Sequence, residues 1–171
     1  GPEHGEPVLL IMGLGGQLIH WPDALCERLV SQGFRVIRFD NRDAGLSGDA
    51  DLGIAPRIPQ DWLRSRFGLP ATANYRLHDM AADAVGLLDV LGLRQVHVVG
   101  ASMGGMIGQI LAATRPARVR SLTSIMSSTN HPRLPAARFD VLWRMAGIGP
   151  RPTTREAVIR RSTAMLRRVG S

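Results

Sequence analysis

The chain has 171 residues, 44% hydrophobic and 20% charged, with a formal net charge of +7. This length suits one domain with a sizeable core, and no apolar run approaches the ~18 residues that a membrane span requires. The charge suggests a nucleic-acid partner only until it is located: residues 1–129 hold 12 Arg and 12 acidic residues, whereas residues 130–171 hold 9 Arg and 2.

No Lys occurs, and in the last quarter the Arg residues are spaced among Leu, Val, Ile, Trp and Met, as on the solvent face of amphipathic helices. No aromatic platform or nucleic-acid motif accompanies them, so no nucleic-acid partner is expected, and no membrane partner. The opening Gly1-Pro2-Glu3-His4-Gly5-Glu6 is acidic where a signal peptide is basic. A single Cys26 excludes an internal disulfide and suits a reducing, cytoplasmic compartment. Beside Leu25 and Leu29 it reads as a structural thiol.

Pro7-Val8-Leu9-Leu10-Ile11-Met12 is a continuous apolar run, as expected of a strand buried on both faces. Gly13-Leu14-Gly15-Gly16 is a turn. Trp21-Pro22-Asp23 opens a helix with Leu25, Leu29 and Val30 on its apolar side, and Gly33 closes it. Phe34 to Phe39 is the next strand, and Asn41 to about Pro59 is loop. A helix is predicted over Leu77–Leu91, with Met80, Ala84, Leu87, Leu88 and Leu91 inward and Asp79 and Asp83 opposite, on a solvated face with Asp89. Gln95 to Val99 is a strand, Gly105 to Ala112 a helix stopped before Pro116, and Ser121 to Met126 one more strand. Strands alternating with helices imply a parallel sheet. From Asn130 the chain turns to Arg, Pro and apolar helix, a separate helical layer.

Gly100-Ala101-Ser102-Met103-Gly104 carries the most chemistry. A G-x-S-x-G between a strand and a helix is the setting of a nucleophile elbow, a turn so tight that flanking glycines relieve the crowding. The hydroxyl then stands at the positive end of the next helix, which favours the negative charge of acyl transfer. A serine nucleophile also needs oxyanion donors, a base and an orienting group. The amide of Met103 and one from the Gly13–Gly16 loop are the natural donors, because both loops leave the carboxyl edge of the sheet. Gly13–Gly16 alone also fits an ordinary tight turn or a phosphate loop, but a full G-x-G-x-x-G and a Gly-Lys-Ser/Thr are both absent.

The order strand, glycine loop, helix, strand, Asp40-Asn41-Arg42-Asp43-Ala44-Gly45-Leu46-Ser47, helix, strand, elbow resembles the α/β-hydrolase superfamily. Within it, Ile11-Met12-Gly13-Leu14 followed by Trp21-Pro22-Asp23 looks most like the bacterial esterase branch that includes aclacinomycin methylesterase. The resemblance spans about residues 7–130. It implies an α/β fold with a mostly parallel sheet in three αβα layers, incomplete on its C-terminal side. Residues 1–130 would be a partial hydrolase core and residues 131–171 the start of a helical cap or lid. It implies Ser102 as nucleophile, with the backbone amides of Leu14 and Met103 as the oxyanion hole. Where many relatives carry His-Gly, this chain has Met12-Gly13, which removes a side-chain hydrogen bond from the loop but leaves the backbone donor.

The resemblance also places the acid after a later strand and the histidine near the C-terminus, so both are expected outside this chain. Of the histidines present, His97 lies within a strand, His78 at a helix start, His4 in the tail, His20 after the oxyanion loop and His131 beyond the last strand. His20 could line the pocket and His131 could lie near its mouth, but none of the five is favoured as the base. Asp40 and Asp43 read as loop-fixing acceptors that pair with Arg42 or backbone amides, and no carboxylate occurs between Leu122 and Phe139. The expected activity is hydrolysis of a small-molecule carboxylic ester through an acyl-serine intermediate, without metal or organic cofactor. The alternatives are a serine-type haloperoxidase or perhydrolase, and a non-catalytic fragment or binding module; the isolated fragment is expected to be inactive.

Overall fold

The computed structural model describes residues 1–47, 75–129, 131, 134 and 154–169. The chain divides into two compact units, Gly1–Pro56 with Ala71–Asn130, and Arg57–Pro70 with His131–Ser171. The loop expected over 48–59 and the Arg-rich stretch over 135–153 lie outside the described residues.

Among its described residues the first unit holds four strands: β1 (Glu6–Ile11), β2 (Phe34–Arg38), β3 (Val96–Ala101) and β4 (Val119–Ile125). They form one parallel sheet in the order β2-β1-β3-β4. The helices are α1 (Asp23–Ser31), α2 (Leu77–Val90) and α3 (Met103–Thr114). Because side chains alternate along a strand, β1 feeds two cores. Leu9 and Ile11 join Val96 and Val98 of β3 beneath Met80, Ala84 and Leu88 of α2 and Ile107 and Leu111 of α3. Val8 and Leu10 face the other way, toward Trp21, Cys26 and Leu29 at α1. The result is three layers, as expected, and each fully buried Leu or Ile contributes roughly 1.5–3 kcal/mol.

Some local readings change. In α1 the inward residues are Cys26 and Leu29, while Leu25 is exposed. The acids of α2 are not simply solvated: Asp83 pairs with Arg42, Asp89 with Arg118, and Asp79 accepts the Arg76 amide at the helix start. β4 begins two residues earlier than the apolar pattern suggested, and its outward positions are Arg120, Ser121, Thr123 and Ser124.

In the second unit the described residues contain α4 (Arg155–Val169), capped by Thr154, whose Oγ1 accepts the Ala157 amide at 3.3 Å. No helix among the described residues is long and apolar enough to cross a membrane.

Candidate active site

Ser102 joins β3 to α3 with φ 53° and ψ −119°. A non-glycine residue with positive φ is strained by roughly 1–3 kcal/mol and needs its surroundings to hold it there. Those surroundings are glycines. A Cβ on Gly100 would strike the Gly104 carbonyl, one on Gly104 would strike the Ile11 carbonyl, and one on Gly105 would lie 2.6 Å from Ser127 Oγ. The first turn of α3 therefore sits directly on the ends of β1 and β4. The Ser102 amide donates to the Ile125 carbonyl at 2.8 Å, and the Ser102 carbonyl accepts the amides of Gly105 and Met106. The amides of Met103 and Gly104 precede these first helical bonds, at the positive end of the helix.

The sheet register brings the neighbouring loops to the same row. Ile11 pairs with Gly100 and Ala101 with Ile125, so the next residues along carry Gly13 beside Ser102 and Met126 on its other side. A Cβ on Gly13 would lie 3.1 Å from Ser102 Cβ and 3.6 Å from its Oγ. A side chain at Gly13 would crowd the serine, because the loop after β1 runs against it. The loop closes with the Gly16 amide on the Gly13 carbonyl at 3.0 Å, with Gly15 at φ +66°.

The loop after β2 braces this arrangement. Buried Asp40 accepts the Leu18 amide on Oδ1 at 2.6 Å and the Leu46 amide on Oδ2 at 3.2 Å, and its carbonyl accepts Ser47 Oγ at 2.6 Å. Gly45, at φ +55°, packs on the Asp40 carboxylate where a Cβ would collide. Asn41 donates from Nδ2 to the Met12 carbonyl at 2.9 Å. Asp40 is thus the backbone-fixing acceptor that the sequence suggested. Arg42 is not its partner: the guanidinium grips Asp83 through Nε at 2.6 Å and Nη2 at 2.5 Å, 4.9 Å above the Tyr75 ring. The hydrogen bond to Asp83 pushes the Arg42 pKa up. Burial, then the bond to Asp43, pushes the Tyr75 hydroxyl up to about 12.

This elbow and its loops belong to a known pattern. Residues 6–165 match the family of the alpha/beta hydrolase fold. The chain belongs to that family. It is 38% identical over 126 residues to a rhodomycin D methylesterase of Streptomyces peucetius, covering 74% of this chain and 36% of that protein. It is 36% identical over 153 residues to RutD of Variovorax paradoxus, provisionally named a carbamate hydrolase, covering 88% of this chain and 49% of that protein. Among solved structures it is similar to a hydrolase from Pseudomonas aeruginosa, with TM-score 0.58 and 29% identity over 75% of this chain and 40% of that one. The chain spans about a third to a half of the length of the curated relatives it matches.

In this α/β-hydrolase core, none of the first unit's histidines is bonded to Ser102. His97 bonds Ser121 Oγ through Nδ1 at 2.7 Å, stands 3.4 Å from Glu6 and packs edge-on against Phe34. It lies five residues before Ser102, roughly 16 Å along the strand, so its role is structural. His20 accepts the Gln17 amide on Nδ1 at 2.9 Å and closes its own turn. His78 lines a hollow of about 400 Å³ with Asp89 and the far end of α3. His4 precedes β1, at the opposite edge of the sheet. His131 belongs to the second unit. Another hollow, of about 410 Å³, lies between Cys26, Val30 and Arg38, and neither hollow includes an elbow residue. Among the described residues no three His, Cys, Asp or Glu side chains converge as a metal site requires. Sequence reasoning missed Asn41 and Ser127. Asn41 stood inside a motif already read, but the motif did not disclose that its side chain reaches the first loop. Ser127, whose buried Oγ has no partner among the described residues, carried no signal.

Proposed function

We propose that this chain carries the nucleophile and oxyanion donors of a carboxylic-ester hydrolase. Ser102 is the nucleophile, and the backbone amides of Leu14 and Met103 hold the oxyanion. The observation that carries the reading is the strained Ser102, held at φ 53° between β3 and α3 with the Gly13 loop against its Oγ. Strain of this kind persists only where the surrounding structure enforces it. Ser102 Oγ attacks the ester carbonyl as a histidine takes its proton. The carbonyl oxygen becomes an oxyanion between the two amides. The C–O bond to the alcohol breaks, and the alcohol leaves with the proton returned by the histidine. Water, deprotonated by the same histidine, then releases the acid from the acyl-serine.

Among the described residues, the loops around Ser102 present exposed apolar side chains: Leu14 and Ile19 after β1, Leu46 after β2, and Met126 after β4. Among the described residues of the loop after β2, Asp43 is bonded to Tyr75 and Arg42 to Asp83. The rim supports a neutral, apolar ester as substrate, and a carbamate presents the same carbonyl. Residues 131–171 would begin a helical cap or lid region. The free Cys26 suits a cytoplasmic setting.

A second reading, a hydrolase-fold chain without turnover, draws on the lack of a histidine bonded to Ser102 in the first unit. One experiment separates the two. In the gene's full product, a fluorophosphonate labels Ser102, and Ser102→Ala lowers p-nitrophenyl ester turnover by about 10⁴- to 10⁶-fold in a folded protein. Label on a different serine, or parental turnover by the variant, rejects the ester-hydrolase reading.

A further inference from the structure

We propose that Asn41 is a positioning residue for the oxyanion donors. Its amide fixes the Met12 carbonyl against the first turn of α3 and so sets the separation of the Leu14 and Met103 amides. The proposal rests on the reading of Ser102 as nucleophile.

The bond from Asn41 Nδ2 to the Met12 carbonyl is 2.9 Å long, and Asn41 is only 4% exposed. Water cannot replace a donor lost there, so the carbonyl would be left unsatisfied. The same carbonyl borders the elbow helix, since a Cβ on Gly104 would come within 2.8 Å of it. Met12 is therefore held from two sides, by the Asn41 amide and by the turn that bears Met103. The Met12–Gly13 peptide lies one unit before the Leu14 amide, and turning its plane re-aims that amide.

Asn41 is itself anchored. Asp40, before it, bonds the Leu18 and Leu46 amides, and Arg42, after it, is bonded twice to Asp83. The brace runs from α2 through Arg42 to Asn41 and on to Met12. The side chain of Met12 offers no N–H or O–H for this purpose, so the loop takes its donor from across the sheet. Asparagine is suited to the position. Aspartate of the same shape would set a lone pair against the Met12 carbonyl, and leucine would offer no donor.

Oxyanion donors act on the transition state, so misplacing them lowers kcat and leaves substrate binding largely alone. In the gene's full product, Asn41→Asp and the smaller Asn41→Ser are compared with the parent on p-nitrophenyl acetate, with kcat normalised to serines titrated by the initial burst. The expected result is a fall in kcat of about 10- to 100-fold, with KM within about threefold, because a misplacement near 1 Å costs on that order. The affinity of an alkyl boronic acid, which forms a tetrahedral adduct on the serine, should fall by the same factor as kcat/KM. A merely structural role would reduce the number of titrated serines and leave these ratios unchanged. Parental kcat per titrated serine, or a loss confined to KM, overturns the proposal. If Asn41→Asp does not fold, Asn41→Ser gives the same reading. Should Ser102→Ala keep its turnover, the nucleophile reading fails and this proposal with it. Should Ser102→Ala be inert while the Asn41 variants keep parental kcat, the proposal alone fails.

Discussion

Tyr75 is the only tyrosine of the chain, and no Lys is present. Between pH 10 and 12 no lysine therefore titrates beside it. Its ring lies under the Arg42 guanidinium, and its hydroxyl is raised from 10.0 to about 12, by burial first and the bond to Asp43 second. An acid whose folded pKa is raised keeps its proton in the native state after the unfolded chain has lost it. Its contribution to stability is thus complete below pH 10 and lost as pH rises toward 12. The denaturant midpoint of the 171-residue chain should fall across that window, and Tyr75→Phe should flatten the fall. The tyrosinate absorbance of the native protein should appear only near pH 12. A tyrosinate midpoint close to 10 in the folded chain would show that neither Asp43 nor burial acts on this hydroxyl.

Helix α3 can lie on the sheet because three of its residues have no side chain. Gly104, Gly105 and Gly108 are buried, against the Ile11 carbonyl, Ser127 and Leu122 respectively. Glycine costs a helix about 0.5–1 kcal/mol relative to alanine, so Gly→Ala stabilises wherever space exists. Gly86 of α2 has nothing within 4 Å of an added Cβ, and Gly86→Ala should stabilise by about 0.4–1 kcal/mol. At Gly104 the added Cβ meets backbone carbonyls that no rotamer change can move, and overpacking of this kind costs about 1–3 kcal/mol. Gly104→Ala should therefore destabilise, shifting the denaturant midpoint in the direction opposite to Gly86→Ala with the same slope; equal shifts would mean that the helix does not rest on β1. The G-x-S-x-G context and the alternation of strands and helices were legible because each is a local pattern with one physical solution. The partners of Arg42 and Asn41 were not, because Asp83 and Met12 lie 41 and 29 residues away in sequence. Only the sheet register brings them together, and a single sequence does not state register. The bonds that occupy His20 and His97 likewise belong to the fold.

In the sheet as a whole, β1 and β3 are paired on both sides, whereas among the described residues β2 and β4 are each paired on one. A parallel strand directs successive amides to opposite sides, so about half of the β4 amides point away from β3. The exposed residues along β4 are polar, with Arg120 bonded to Glu6, and a charged edge resists pairing with another copy. The consequence is solvent access more than aggregation. In the 171-residue chain, alternate amides of 119–125 should exchange hydrogen within the fast, locally opened population, while all amides of 97–100 exchange only on larger unfolding. The gene's full product offers a direct comparison. The relatives run to more than twice the matched length, and if added chain pairs with β4, its outward amides should slow toward the rate of β3 without change in β3 itself. Amide-resolved exchange on both proteins reads this. Uniform protection along β4 in the 171-residue chain would mean that its outer edge is already covered, and that these four strands form a closed unit.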